Sequence, residues 1–282
     1  MSEARQSWLG AHAFLEPIAR LQAAVEAAAA AAAVAGGPEV SVEDWARDGG
    51  ADGAPLLHTD AGEHAFAAAA DVLRELVARL DPAALPGALG AACRDVRAAL
   101  ERPEERTGAI RWVLRGAPAD GAPAHAGVVR FLAWTAIRRA LPAALRGAGA
   151  WCEPERWGRP VCPACGEAPA MAQLLPGSTG RQRLLACGCC GTRWPWRRIG
   201  CPFCASDASD HLRVLVADER VGLRIDGCGA CGGYLKTYTG EGDEELFLAD
   251  WPTLHLDLAA VQRGFRRMGA SLYDLPDEER RS

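Results

Sequence analysis

Eight cysteines stand in four Cys-x-x-Cys pairs: Cys162/Cys165, Cys187/Cys190, Cys201/Cys204 and Cys228/Cys231. Two residues between paired thiols let both sulfurs reach one ion from a single tight turn. A glycine after the second cysteine relieves crowding where the backbone N–H groups turn toward the sulfurs. Gly166, Gly191 and Gly232 meet that demand, whereas the third pair is followed by Ala205. Four thiolates suit a tetrahedral site with metal–sulfur distances of about 2.3 Å, and such a donor set accommodates zinc and iron alike. Two pairs make one four-sulfur site, so four pairs make two. Pairing in chain order encloses 21 residues between Cys165 and Cys187 and 23 between Cys204 and Cys228, enough in each case for the hairpin of a zinc-ribbon or rubredoxin-like unit. The near equality of those intervals favours a tandem repeat, with nested and interleaved pairing as the alternatives.

Structural zinc in finger peptides binds with an apparent free energy of about 10–16 kcal/mol, more than small hairpins draw from their own cores. The cysteine-rich segment is therefore expected to unfold without metal. Four protein ligands per ion leave no open position of the kind that catalytic zinc keeps, and no nucleophile, base or phosphate loop accompanies them, so no enzymatic activity is expected. A thioredoxin-type role would need one pair and leave three unexplained. Cys189, inside the second pair, and Cys152, upstream of the first, are surplus thiols. Cys93 falls on an apolar helical stripe and reads as a small packing residue. His211 and His255 read as packing or surface residues, not ligands.

The chain that must position these thiols has 282 residues, 49% of them hydrophobic, which is ample for real cores. Ten of its 11 cysteines lie within residues 151–240, a clustering that argues for metal ligation in a reducing compartment over disulfides. The opening "MSEARQSWLG" has neither a basic nor an apolar signal region, and no apolar run is long enough to span a bilayer. The expectation is a cytoplasmic protein with no membrane insertion. The net charge of −5 is uneven, being −3 over residues 1–150, +3 over 151–240 and −5 over 241–282. Arg193, Trp194, Trp196, Arg197 and Arg198 form a basic, aromatic stretch of the sort that lies on phosphates and bases. Eight thiolates around two divalent ions, however, add about −4 to the surrounding module, a poor footprint for a polyanion. No nucleic-acid partner is expected.

The first half reads as helices. Phe14, Ile18, Leu21 and Val25 recur at helical spacing, with Pro17 in a first turn and Gly36 and Gly37 as the stop. Phe66, Leu73, Leu76, Val77 and Leu80 mark a second helix starting near Thr59 or Asp60 and ended by Asp81-Pro82. Leu85, Leu89, Cys93, Val96 and Leu100 mark a third. "GVVRFLAWTAIRRALPAAL" supplies another, closed by Pro142, with Arg138 and Arg139 read as a solvated face. From Trp151 the pattern changes to short strands: "RQRLLA", "TRWPWRRI", a hairpin through "HLRVLVA" and "GLRI", and "YLKTY". Leu254, Leu258, Val261 and Phe265 then suggest a last helix packing back on the body, before a frayed tail. The expected fold class is α+β: an N-terminal all-α helical domain over 1–150, a tandem rubredoxin-like or zinc-ribbon module over 151–240 with units at about 158–195 and 196–240, and a C-terminal helix and tail over 241–282.

The run "CPACG", the spacing to "CGCCGTRW", the following "RRIGCPFC", the hairpin and "DGCGACGGYLKTY" together resemble the FdhE family of formate dehydrogenase accessory proteins. The resemblance covers roughly residues 151–240, with the flanking "WTAIRRALPAAL" and "HLDLAAVQRGF" agreeing in kind; Cys189 and Ala205 are departures. It implies a cytoplasmic assembly factor with two rubredoxin-like, iron-binding sites, acting on the catalytic subunit of a molybdenum- or tungsten-dependent formate dehydrogenase before export. The eight knuckle cysteines carry over one by one as ligands, with zinc as the alternative occupant. A redox role on the immature enzyme is the runner-up reading, and self-association as a homodimer is compatible with either.

Overall fold

The computed structural model describes residues 3–33, 54–85, 87–115, 122–141, 157–177, 180–218 and 221–273. Readings that rest on Gly36, Gly37, the side chain of Phe66, Pro142, Cys152 and the tail from 274 onward lie outside them. Six helices precede the strands among these residues: α1 (Glu3–Ala11), α2 (Glu16–Ala31), α3 (Asp60–Arg79), α4 (Gly87–Ala99), α5 (Pro103–Arg115) and α6 (Ala126–Ala140). Pro17 lies in the first turn of α2, where its missing N–H costs nothing. The periodic apolar positions of α3 face inward: Val72, Leu73 and Leu76 are buried against α6. Cys93 is buried in α4 as a packing residue. Helix α5 contributes Ala109, Ile110 and Leu114, and its buried Arg106 donates to the carbonyls of Leu100 (2.8 Å) and Glu101 (2.7 Å), which α4 leaves unsatisfied at its end. Phe14, by contrast, is exposed in the turn before α2 rather than on its buried face.

The strands are β1 (Met171–Gly177), β2 (Gly180–Ala186), β3 (Arg193–Trp196), β4 (Leu212–Asp218), β5 (Leu223–Cys228) and β6 (Gly233–Tyr238), followed by short helices α7 (Glu244–Phe247) and α8 (Leu254–Val261) and strand β7 (Arg266–Arg267). Each cysteine unit is an antiparallel meander, β1-β2-β3 and β4-β5-β6. The two fuse into one sheet, ordered β3-β2-β1-β6-β5-β4, because β1 pairs in parallel with β6 (Met171 opposite Lys236), and off that path β7 pairs in parallel with the start of β6 at Gly233 and Tyr234. A bulge at Leu215 interrupts the register of the outer strand β4, a feature that twists and blunts an open edge.

One apolar cluster runs without a break from α2, α3 and α6 into Leu185, Trp194 and the cysteines of the first unit. A second joins α1 and α2 to the sheet and the C-terminal helices through Trp8, Leu15, Ile225, Tyr234, Trp251 and Leu256, with Trp8 Nε1 donating to the Pro252 carbonyl at 3.0 Å. Helix α8 does pack back on the body, but with a different face from the one its apolar spacing suggests. Leu256, Asp257 and Ala260 point inward while Leu258 and Val261 are exposed. The reason is electrostatic. Lys236 Nζ, buried in β6, contacts Asp250 Oδ1 (2.5 Å) and Asp257 Oδ2 (2.8 Å), and Arg267 contacts the same two carboxylates at 2.6 and 3.0 Å. Tyr234 O–H donates to the remaining oxygen of Asp257, Oδ1, and Ser271 O–H joins Arg267 on Asp250 Oδ2, each at 2.6 Å. Two cations and two anions thus neutralise each other inside the fold and fix the rotation of α8.

Candidate metal centres

The four knuckles share one backbone device. The N–H of the residue after each pair donates back to the first cysteine: Gly166 to Cys162 (2.8 Å), Gly191 to Cys187 (3.2 Å), Ala205 to Cys201 (2.9 Å) and Gly232 to Cys228 (2.8 Å). Closing that turn places the residue in the left-handed region, with φ of 80° at Gly166, 78° at Gly191, 71° at Gly232 and 60° at Ala205. Only the last carries a Cβ, at a conformational cost of about 1–2 kcal/mol. Ala205→Gly is accordingly expected to stabilise the metal-loaded protein by about 0.5–1 kcal/mol, after the greater freedom of glycine in the unfolded chain is offset. An upward shift of the urea midpoint is the measurement.

The sulfurs close in chain order. Cys162, Cys165, Cys187 and Cys190 form one group and Cys201, Cys204, Cys228 and Cys231 the other, with all ligand atoms of a group within 4.8 Å of one another. Sγ–Sγ separations are 3.5 Å for Cys162–Cys190 and Cys165–Cys187, and 3.7 Å for Cys201–Cys231 and Cys204–Cys228. A tetrahedron with metal–sulfur bonds of about 2.3 Å has edges of about 3.8 Å. Both groups therefore match a four-sulfur cage in donor type and size, and either can hold a metal ion. N–H donors point at the sulfurs in each: Cys190 N–H to Cys187 Sγ and Phe203 N–H to Cys201 Sγ, both at 3.4 Å. Such donors stabilise thiolate over thiol.

The surroundings of the two groups differ. The first is wholly buried, its knuckles gripped by the helical half. Leu56 and Leu57 N–H groups bond the carbonyls of Pro163 (2.9 Å) and Ala164 (2.8 Å), and His58 Nε2 lies 3.1 Å from the Cys165 carbonyl. Arg138 reaches from α6 to the carbonyls of Gly188 (2.9 Å) and Cys189 (2.8 Å), and Arg139 bonds Ala29 O at 3.1 Å. The adjacent arginines are thus not a solvated face but tie α6 to the second knuckle and to α2. A pair of arginines in a helix carries no mark of this in the sequence, because the carbonyls they satisfy lie some 50 and 110 residues away. In the second group Cys204 is exposed and Cys231 half-buried.

Burial and hydrogen bonding together set the titration of the thiols. Desolvation pushes the Cys162 and Cys165 thiols well above their ordinary range. Burial pushes Cys187 up as well, but hydrogen bonds from the surrounding thiols outweigh it and hold Cys187 well below. In the second group, burial pushes Cys201 up to about 12, while N–H donation from Ser206 lowers exposed Cys204. Cys189 stands outside the four-sulfur group, fully buried, with Arg130 Nη2 3.9 Å from its sulfur. Its hydrogen bond to Cys187, reinforced by burial, pushes its thiol well above the ordinary range, so it serves as a donor toward Cys187. Neither His211 nor His255 joins a group. His211 Nδ1 lies 3.3 Å from Ser206 Oγ, and His255 packs among Trp8, His12 and Phe14. Trp194 of the basic, aromatic stretch is fully buried, with Nε1 donating to the Arg159 carbonyl at 3.2 Å, and so presents no ring for base stacking.

No family profile matches the chain. Its sequence is 33% identical over 122 residues to an FdhE homologue of Citrobacter koseri, covering 43% of this chain and 39% of the relative. The figures are the same for the FdhE protein of Salmonella paratyphi B, so the matched stretch spans about two fifths of these relatives' length. The fold resembles the crystal structure of the FdhE protein from Pseudomonas aeruginosa with a TM-score of 0.56 at 25% identity, over 90% of this chain and 86% of that one. Sequence likeness in a shared stretch, together with likeness of fold over nine-tenths of its length, makes this chain similar to FdhE proteins.

Proposed function

We propose that this protein is a cytoplasmic, non-catalytic accessory factor for formate dehydrogenase, binding the enzyme's catalytic subunit during assembly, with an iron ion held in each four-sulfur group. The observation that carries the reading is the closure of eight cysteines into two complete four-sulfur groups on a fold that follows FdhE of Pseudomonas aeruginosa. Cys162, Cys165, Cys187 and Cys190 would hold one ion, and Cys201, Cys204, Cys228 and Cys231 the other. Four thiolates per ion leave no position for a substrate or an activated water, which favours shape over turnover as the role of the metal. A bound ferric ion would add one-electron chemistry. The chain's own residues bury the first centre and present the second at the surface. No helix among the described residues is long and apolar enough to cross a membrane.

Protein purified without oxygen is expected to carry close to two irons per chain, one for each group, and to retain formate dehydrogenase catalytic subunit in a pull-down. Replacing Cys201 and Cys204 together by Ser should abolish retention while the helical half stays folded. Undiminished capture by that variant would remove the second centre from recognition. The exposure of Cys204 favours one further reading, electron transfer to the immature enzyme, since a redox centre must approach the surface. Tightly bound, colourless zinc in the anaerobic protein would exclude it.

A further inference from the structure

Beside the second centre the sheet opens into a cleft of about 290 Å³ between strands β4 to β6 and the 198–203 loop. That is at the small end of ligand cavities, which run from about 300 to 1,000 Å³, and leaves room for a pair of side chains rather than a folded surface. Four arginines line it, Arg183, Arg198, Arg213 and Arg224, against a single carboxylate, Asp226. Arg224 is already matched, its Nε lying 2.9 Å from Asp226 Oδ1, and Thr237 O–H takes up Asp226 further at 2.7 Å.

The other three arginines are not matched. Arg198 and Arg213 are exposed, and their side chains make no hydrogen bond or ion pair among the described residues. Arg183 is the informative one. Its side chain is only 5% exposed, one terminal nitrogen donates to the Gly200 carbonyl at 2.8 Å, and its buried Nε has no partner. A buried guanidinium with an unused donor is costly unless something supplies an acceptor. A divalent ion in the neighbouring four-sulfur group would bring about two negative charges and still leave the cleft positive. Leu174, Phe203, Leu212 and Leu235 add apolar lining, and Ile199 and Val214 stand 53% and 55% exposed. Exposed aliphatic side chains beside unpaired arginines suit a segment carrying both a carboxylate and an aliphatic side chain.

We propose that this cleft docks an extended acidic and aliphatic peptide segment of a partner polypeptide, a Glu or Asp carboxylate meeting Arg183, Arg198 and Arg213 while a neighbouring Leu, Ile or Val covers Ile199 and Val214. The proposal rests on the reading of the protein as an accessory factor that binds another chain. It is tested separately, with a synthetic probe and no formate dehydrogenase present. The probe is a fluorescein-labelled peptide of alternating Glu and Leu, titrated by anisotropy into full-length, metal-loaded protein. The same peptide with Lys in place of Glu serves as the control.

The Glu peptide is expected to bind roughly tenfold or more tightly than the Lys peptide, and to weaken by a similar factor in Arg198→Glu/Arg213→Glu. Added salt should weaken it further. Arg183→Gln should weaken binding too, but since its burial puts folding at risk, the exposed double variant is the deciding one. Equal affinity for both peptides, or unchanged affinity in the double variant, overturns the proposal. So does displacement by inorganic phosphate of a Glu peptide that binds as well without its leucines, which would mark a bare anion site. A cleft that binds the probe in a protein that captures no formate dehydrogenase would leave the docking intact and dispose of the assigned partner instead.

Discussion

Stripping metal from the anaerobically purified protein with excess chelator is expected to proceed in two steps of very different consequence. The ion at Cys201, Cys204, Cys228 and Cys231 should leave first, because Cys204 is exposed and Cys231 half-buried. Far-UV helical signal should barely change at that stage, since the apolar cluster that includes the helices takes in the cysteines of the other group. The ion at Cys162, Cys165, Cys187 and Cys190 should leave slowly and take the fold with it. Structural zinc contributes an apparent ~10–16 kcal/mol in small peptides, as much as the whole stability of a typical domain, about 5–15 kcal/mol. Here the loss would fall inside the largest core of the protein. The variants should follow the same order, with Cys165→Ser yielding insoluble or unfolded chain and Cys204→Ser a folded protein short of one metal. Simultaneous loss of both ions, or full helical signal after both are gone, would contradict this division.

The second large effect is expected at Lys236. Replacing it by Met keeps the length of the side chain and removes the charge, leaving Asp250 and Asp257 buried with Arg267 alone. Breaking a buried ion network by removing one member costs about 3–5 kcal/mol, because the remaining charges lose their compensation. Chemical denaturation of Lys236→Met against the parent measures it. The double variant Lys236→Met/Asp257→Asn restores charge balance and should recover part of the loss; no recovery would show that packing rather than charge is responsible. The network also predicts acid sensitivity. Burial alone would push the Asp250 carboxyl up, but Lys236 and Arg267 outweigh it and hold the group well below the usual carboxylate range. A carboxyl depressed in the folded state contributes stability that is fully present above its unfolded value, about 4, and is lost as pH falls through the folded one. Denaturation midpoints of the parent should therefore decline below about pH 4 more steeply than those of Lys236→Met, which loses the lysine's share of that depression.

The division between legible and hidden features follows from range. Knuckle spacing, the glycine after three of the four pairs and the alternating strand segments are local, and they favour the sulfur groups in chain order. The strong apolar stripes of α3, α4 and α6 were equally readable. Helices α1 and α5, whose apolar residues are sparse, and β1, whose "MAQLLPG" ends on Pro-Gly, give weak local signals and take their form from what they pack against. Long-range polar contacts left no trace at all. Nothing in "AIRRAL" says that Arg138 will bind the Cys189 carbonyl, and nothing in "HLDLAAV" says that Asp257 will turn inward to Lys236. The parallel pairing of β1 with β6, which merges two repeats into one sheet, is hidden for the same reason.

Lys236 is the sole lysine of the chain and is 1% exposed. The intact protein consequently offers no side-chain primary amine to acetylating or conjugating enzymes, nor to amine-directed cross-linkers. A partner's footprint has to be traced through carboxylates or arginines instead. Any adduct found at position 236 identifies a molecule that has opened, so this one residue doubles as a built-in record of unfolding.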